Sequence, residues 1–241
     1  MNALFHKYVS LVLTMLVFSC GTDEAEDATR YTALSPFDEI QVNGVFHIFL
    51  GQDTVFSISI SGNKDIIEGV KYTIENRILS LTNETKMMWL KPADNDVEVL
   101  INADRLKKVV ANEASLIETV NPIITDEFGL ITGKKYCEAN LELNNNIFYF
   151  WNNFPCGGKI TLTGNTRSLR IWNFVIMAVD ASSLAADHAL IENHSVGDCK
   201  VLVKDMLEYS IYGKGNIYLY GNPNQIILKE KTSSGELIRV E

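Results

Sequence analysis

The sequence predicts an all-β fold: a β-solenoid, parallel β-helix-like, with coils of about 20 residues, preceded by an N-terminal β-rich half. Three observations predict it. From Phe37 onward apolar residues alternate with polar ones, the period of a strand with one buried face. Through the second half the same residue types return at a fixed spacing, which marks a repeat architecture. No stretch carries a sustained helical stripe.

The chain has 241 residues. Residues 1–19 read as a lipoprotein signal peptide, set aside from the fold. His6-Lys7 gives a basic start, and Tyr8–Phe18 is apolar apart from Ser10 and Thr14. That run falls short of the roughly 20 residues a membrane-spanning helix needs. It ends in Val17-Phe18-Ser19-Cys20, which resembles a bacterial lipobox. Cys20 is then the expected lipidation site, and several acyl chains on one residue give a stable anchor. Residues 20–34 read as an acidic flexible tether, with Asp23, Glu24, Glu26 and Asp27 clustered in it. Such a cluster resembles the surface-export signal of Bacteroidetes lipoproteins. The expected address is the outer membrane, lipid-anchored and surface-exposed.

Residues 35–241 read as a single β-helical domain. Its first part, 35–105, holds the N-terminal strands. Ile40–Leu50 is two strands split at Gly44, and Val55–Ile60 alternates without a break. Tyr72–Ile74 and Ile78–Leu81 are separated by Glu75-Asn76-Arg77, and Val97–Ile101 completes the set. The second part, 106–241, holds the repeated coils. Ile171-Trp172-Asn173, Ile191-Glu192-Asn193 and Ile211-Tyr212-Gly213 follow one another at equal steps, and Ile131-Thr132-Gly133 and Trp151-Asn152-Asn153 extend the column backward. Gly and Asn tolerate tight bends and positive φ, so positions 133, 153, 173, 193 and 213 are expected to stack as one corner. A second column of alternating pairs follows it: Leu141/Leu143, Ile160/Leu162, Val201/Val203 and Ile217/Leu219. Ala181–Leu190 is rich in Ala and Leu, yet its place in the repeat makes it a coil segment.

The closing run Tyr212-Gly-Lys-Gly-Asn-Ile-Tyr-Leu-Tyr-Gly-Asn-Pro223 resembles the closing signature of the "putative auto-transporter adhesin head GIN domain" family. The opening Phe37-Asp-Glu-Ile-Gln-Val-Asn-Gly44 and the later Gly69-Val-Lys and Ile78-Leu-Ser-Leu are similar to its N-terminal half. The resemblance covers Ser35 to Glu241. It implies a β-helical surface domain with an adhesin-like role. Where the family usually has Ser-Gly at the repeating corner, Asn153, Asn173 and Asn193 stand here.

Composition excludes several functions. With 21 Lys+Arg against 30 Asp+Glu the net charge is −9, and no basic cluster offsets it, so nucleic acid is not an expected partner. No phosphate loop, nucleophile elbow or Ser/His/Asp signature is present, and His47, His188 and His194 stand apart, so neither metal nor cofactor is expected. Asp180, Asp187, Asp198 and Asp205 are candidates for a polysaccharide-cleaving carboxylate pair. They are scattered over several coils, and none is expected to share a station with a basic residue. The chain is therefore read as no enzyme and assigned no catalytic residue.

A ligand-binding strip remains. Trp151 and Trp172 lie about one coil apart, and with Asn153, Asn173 and Asn193 they form a candidate surface that stacks on a glycan or meets a surface protein. The competing reading buries these aromatics along the axis with Asn ladders between coils. Tyr209, Tyr212, Tyr218 and Tyr220 could extend the strip. Cys137 and Cys156, also one coil apart, form a possible disulfide, or else two thiols packed as small hydrophobes. Cys199 is expected in an inward column with Val179 and Leu219. The functional expectation is a cell-envelope lipoprotein presenting an adhesin-like ladder. The alternatives are a polysaccharide-active β-helix enzyme and a ligand-free structural protein whose end strands pair with other copies.

Overall fold

In the computed structural model the described residues are 26–85, 96–133, 135–152 and 155–240. The chain is 72% strand and 2% helix and winds a β-solenoid of about six turns with coils of about 21 residues. With so little helix, strand stacking builds most of the core. The solenoid expected from the repeat is thus present, and Ala181–Leu190 lies inside a strand rather than a helix.

The strands are β1 (Asp27–Ala33), β2 (Glu39–Asn43), β3 (Phe46–Gln52), β4 (Ser57–Asn63), β5 (Val70–Glu75), β6 (Ile78–Asn83), β7 (Val97–Ala103), β8 (Lys108–Ala111), β9 (Ser115–Thr119) and β10 (Glu127–Thr132). Then come β11 (Tyr136–Asn152), β12 (Gly157–Ser195), β13 (Cys199–Ile211), β14 (Ile217–Tyr220), β15 (Gln225–Lys231) and β16 (Leu237–Val240). A single turn of helix, α1 (Lys64–Ile67), follows β4. Asn63 caps it by accepting from the Asp65 amide at 3.0 Å, while Ile66 and Ile67 go into the core.

Each coil contributes two strands, one to each of two ladders. The first ladder runs β5, β6, β2, β8, β10 and the second half of β11. The second runs β1, β4, β7, β3, β9 and the first half of β11. β11, β12 and β13 continue around the corners and join both ladders into one sheet. Pairing is parallel except at the N-terminal end, where β1–β4, β4–β7 and β5–β6 are antiparallel. At about 4.8 Å per strand the second ladder is on the order of 50 Å long.

The coils do not stack in chain order at that end. β2–β3 comes first in the sequence, but β6 and β7 add to its outer side while β8 and β9 add to its inner side. The two-residue hairpin between β5 and β6 places Asn76 and Arg77 at φ 51° and 65°, the backbone a tight two-residue turn requires.

Alternation carries the core. Val42, Val109, Leu130, Phe150 and Ile171 are wholly buried on the first ladder, and Ile48, Ile117, Ala139 and Ile160 on the second. All belong to one continuous apolar cluster, as repeat coils must share a core that none can close alone.

Two expectations are corrected here. Residues 27–33 of the supposed flexible tether form β1, in register with β4 from Asp27↔Asn63 to Ala33↔Ser57. The reason is a free edge: β4 offers unpaired backbone groups, and Arg30 ties the strand down by donating to the Val70 carbonyl at 2.8 Å. Second, the expected stack of positions 133, 153, 173, 193 and 213 is not kept throughout. The steps are Ala111↔Thr132, Thr132↔Asn152, Trp151↔Trp172 and Ile191↔Tyr209, so corner length varies and the columns slip. Ala139/Leu141, not Leu141/Leu143, faces Ile160/Leu162. Cys199 lies between Val179 and Ile217, while Leu219 lies beside Val201.

Candidate functional site

The corner column consists of Thr132, Asn152, Asn173 and Asn193, each 0–1% exposed. It differs from the expected 133/153/173/193 because of the slipped step. Asn153 lies outside the described residues, as does Cys20. The Asn173 amide donates to Asn193 Oδ1 at 3.0 Å and to the Met177 carbonyl at 2.9 Å. Asn193 in turn donates to the Gly197 and Gly215 carbonyls at 3.2 and 3.0 Å and accepts from the Ser195 amide. Asn152 pairs with the backbone of Phe174 through bonds of 2.8 and 2.7 Å. Asn173 and Asn193 each close their own corner and grip the next coil, while Asn152 bonds only to the next coil. Asn173 and Asn193 face the core, so they cannot be surface contacts for a partner.

The residues on either side of that column point out. Trp151 and Trp172 are register partners in adjacent coils; Trp151 is 43% exposed and Trp172 half-buried. Two residues earlier, Tyr149 and Arg170 are also partners. A Cβ on Gly129 would collide with the Tyr149 ring, so only Gly lets that ring lie across the neighbouring strand. Burial pushes the Tyr149 hydroxyl pKa up, against the opposing pull of Lys108. Beyond the Asn column, Phe174 stacks on His194 with centroids 4.4 Å apart, and His194 stacks on Tyr212 at 4.3 Å.

The result is a field of aromatic and imidazole rings across four coils: Tyr149, Trp151, Trp172, Phe174, His194 and Tyr212. Strand residues two apart stand about 6.6 Å from one another, and coils about 4.8 Å, which suits successive rings of an extended polymer. The sequence reading singled out the two Trp but not Arg170 or His194. A usable signal lies in the 147–152 strand. Phe148 and Phe150, without polar atoms, are wholly buried, while Tyr149 and Trp151, each with a polar handle, alternate outward.

The other expected sites resolve differently. Cys137 and Cys156 are free and buried, because Cys137 faces Gly158, two positions past Cys156. The Cys156 thiol donates to the Lys135 carbonyl at 2.8 Å. Asp180 does share a station with a base, against expectation: it pairs in register with Lys200, 3.2 Å away. Asp198 accepts from the Asn216 amide at 2.8 Å and Asp205 from Asn224 at 2.8 Å, and Lys204 lies 3.9 Å from Asp187. These contacts tie coils together. Among the described residues no group of three His, Cys, Asp or Glu could hold a metal ion.

Comparison with known proteins bears on this arrangement. Residues 36–223 match the family described as "Putative auto-transporter adhesin, head GIN domain". The chain belongs to this family. The GIN domain also matches solved structures in fold. A protein from Bacteroides fragilis titled a putative adhesin has a TM-score of 0.77 and 16% identity, over 89% of this chain and 97% of that one. Two from Parabacteroides distasonis, one titled a putative adhesin and the other a putative lipid binding protein, have TM-scores of 0.62 and 0.61. Each is 16% identical over 90% of this chain and 98% of its own. No curated protein matches the chain. At such identities the likeness establishes the fold, and the GIN-domain membership supports a cell-surface role.

Proposed function

We propose that this GIN domain is a surface-exposed lipoprotein that binds an extended glycan through the ring field of Tyr149, Trp151, Trp172, Phe174, His194 and Tyr212. Residues 1–19 would direct export, and Cys20 would carry the acyl chains that hold the domain to the outer membrane. The supporting observation is the placement of Trp151 and Trp172 side by side and outward on a rigid ladder. Aromatic faces on such a scaffold stack on sugar rings without the cost of ordering a loop. The work done is adhesion rather than catalysis, and no step of bond making is required of any residue.

The experiment is a glycan panel against the purified full chain, with Trp151→Ala and Trp172→Ala beside it. The reading requires at least one polymer held by the native chain and lost from both variants. A blank panel, or binding that survives both substitutions, removes it. Labelled palmitate incorporation into the native chain but not into Cys20→Ala tests the anchor separately.

A second reading, end-to-end assembly, is favoured by the last coil. Among the described residues β15 pairs only with β13 and β16 only with β14, so each presents a free edge there, open to another strand. Sedimentation that shows association increasing with concentration, abolished by proline substitution in β16, would support it over glycan binding.

A further inference from the structure

We propose that the polymer held by the ring field is acidic, and that Arg170 selects it by binding a sugar carboxylate. This rests on the platform reading above. Arg170 is exposed and lies in register with Tyr149, two residues before Trp172 on the same outward side. Its backbone is therefore flanked by Tyr149 in the neighbouring coil and by Trp172 on its own strand. Among the described residues no carboxylate comes within ion-pair distance of it. Glu39, in the same register column through Lys108, Gly129 and Tyr149, is engaged with Lys108 at 2.9 Å.

A guanidinium without a partner, carried on the strand that also presents Trp172, has a specific complement. A uronic acid residue offers an apolar ring face for stacking and one carboxylate at its edge. Arginine binds that group through two parallel N–H···O bonds. The whole chain carries −9, so a polyanion meets general repulsion and needs a local cation to dock. Arg170 then sets which residue of the polymer lies over Tyr149 and which over Trp172, since the carboxylate fixes the register that stacking alone leaves free.

Polygalacturonate and the same polymer with its carboxyl groups reduced serve as probes. Both are titrated against the full chain by intrinsic tryptophan fluorescence, with Arg170→Gln, Arg170→Lys and Trp172→Ala in parallel. Arg170→Gln weakens polygalacturonate binding about tenfold or more, as loss of a charged hydrogen-bonded pair should. It leaves binding of the reduced polymer unchanged, and Arg170→Lys recovers part of the loss. Trp172→Ala weakens both. Equal binding of polygalacturonate by Arg170→Gln and the native chain overturns the inference, as does equal affinity of the native chain for the two polymers. If Trp172→Ala still weakens the reduced polymer, the platform survives and only the acid preference is lost. If the native chain binds neither polymer, the acidic-glycan inference falls, and the wider panel decides the platform.

Discussion

The side-chain amide of Asn173 donates to the side-chain oxygen of Asn193 across 3.0 Å, with both residues wholly shielded from water. Two polar side chains thus carry the stacking of successive coils through an apolar core. A buried polar group without partners would cost more than it contributes. At Asn193 both amide directions and the oxygen are used.

Replacing Asn193 by Ala should therefore be severe. It strands the Ser195 amide, the Gly197 and Gly215 carbonyls and the Asn173 amide in part. At about 1–3 kcal/mol per buried group left unpaired, with some relaxation, the loss is about 3 kcal/mol. Urea unfolding measures it, and a change below about 1 kcal/mol would show that the ladder is incidental.

Trp172→Ala provides the contrast. The ring faces outward, so its loss should cost less than about 1.5 kcal/mol while removing most binding to any glycan that the native chain holds. A Trp172→Ala chain that unfolds as readily as Asn193→Ala would place that side chain in the core instead.

Gly158 should tolerate no side chain. Its φ is +133° and a Cβ would run into the Cys137 carbonyl of the preceding coil. Gly158→Ala combines backbone strain with overpacking, for a cost of about 2–4 kcal/mol. Thermal melts compared with the native chain test this directly.

The thiols predict an alkaline limit. Burial, aided by Cys156 and Glu138, pushes the Cys137 thiol up to about 12. Burial likewise pushes Cys199 up to about 12, with the Asn173 amide opposing. Between the unfolded thiol value near 9 and that figure, the folded chain holds more protons than the unfolded one. Stability therefore falls as pH rises through this window and is flat below it with respect to these groups. In native protein at pH 8 both thiols should resist iodoacetamide and react only after denaturation. Rapid alkylation of Cys199 in the folded state would contradict its placement.

The contribution of β1 can also be tested. A chain beginning at residue 26 keeps β1 and should melt with the full-length protein. A chain beginning at Ser35 leaves β4 as an open edge and should lose stability and aggregate. Equal melting and solubility of the two would mean that β1 contributes nothing.

Sequence alone determined the architecture, since alternation and a fixed return are local quantities. Period two in Ile147–Asn152 places Phe148 and Phe150 on one side and Tyr149 and Trp151 on the other whatever lies next to the strand. The family signature at Tyr212–Pro223 is local in the same way. Tertiary structure decided the lateral alignments. Corner length is not fixed by pattern, so the slip that puts Asn152 rather than Asn153 beside Asn173, and Gly158 rather than Cys156 beside Cys137, could not be read in advance. The same holds for β1. Its residues look like an acidic linker until the free edge of β4 supplies the hydrogen bonds that their own sequence cannot. Arg170 became visible as a candidate only when stacking set it beside Tyr149, because an unpaired charge is a property of neighbours twenty residues away and not of the segment that carries it.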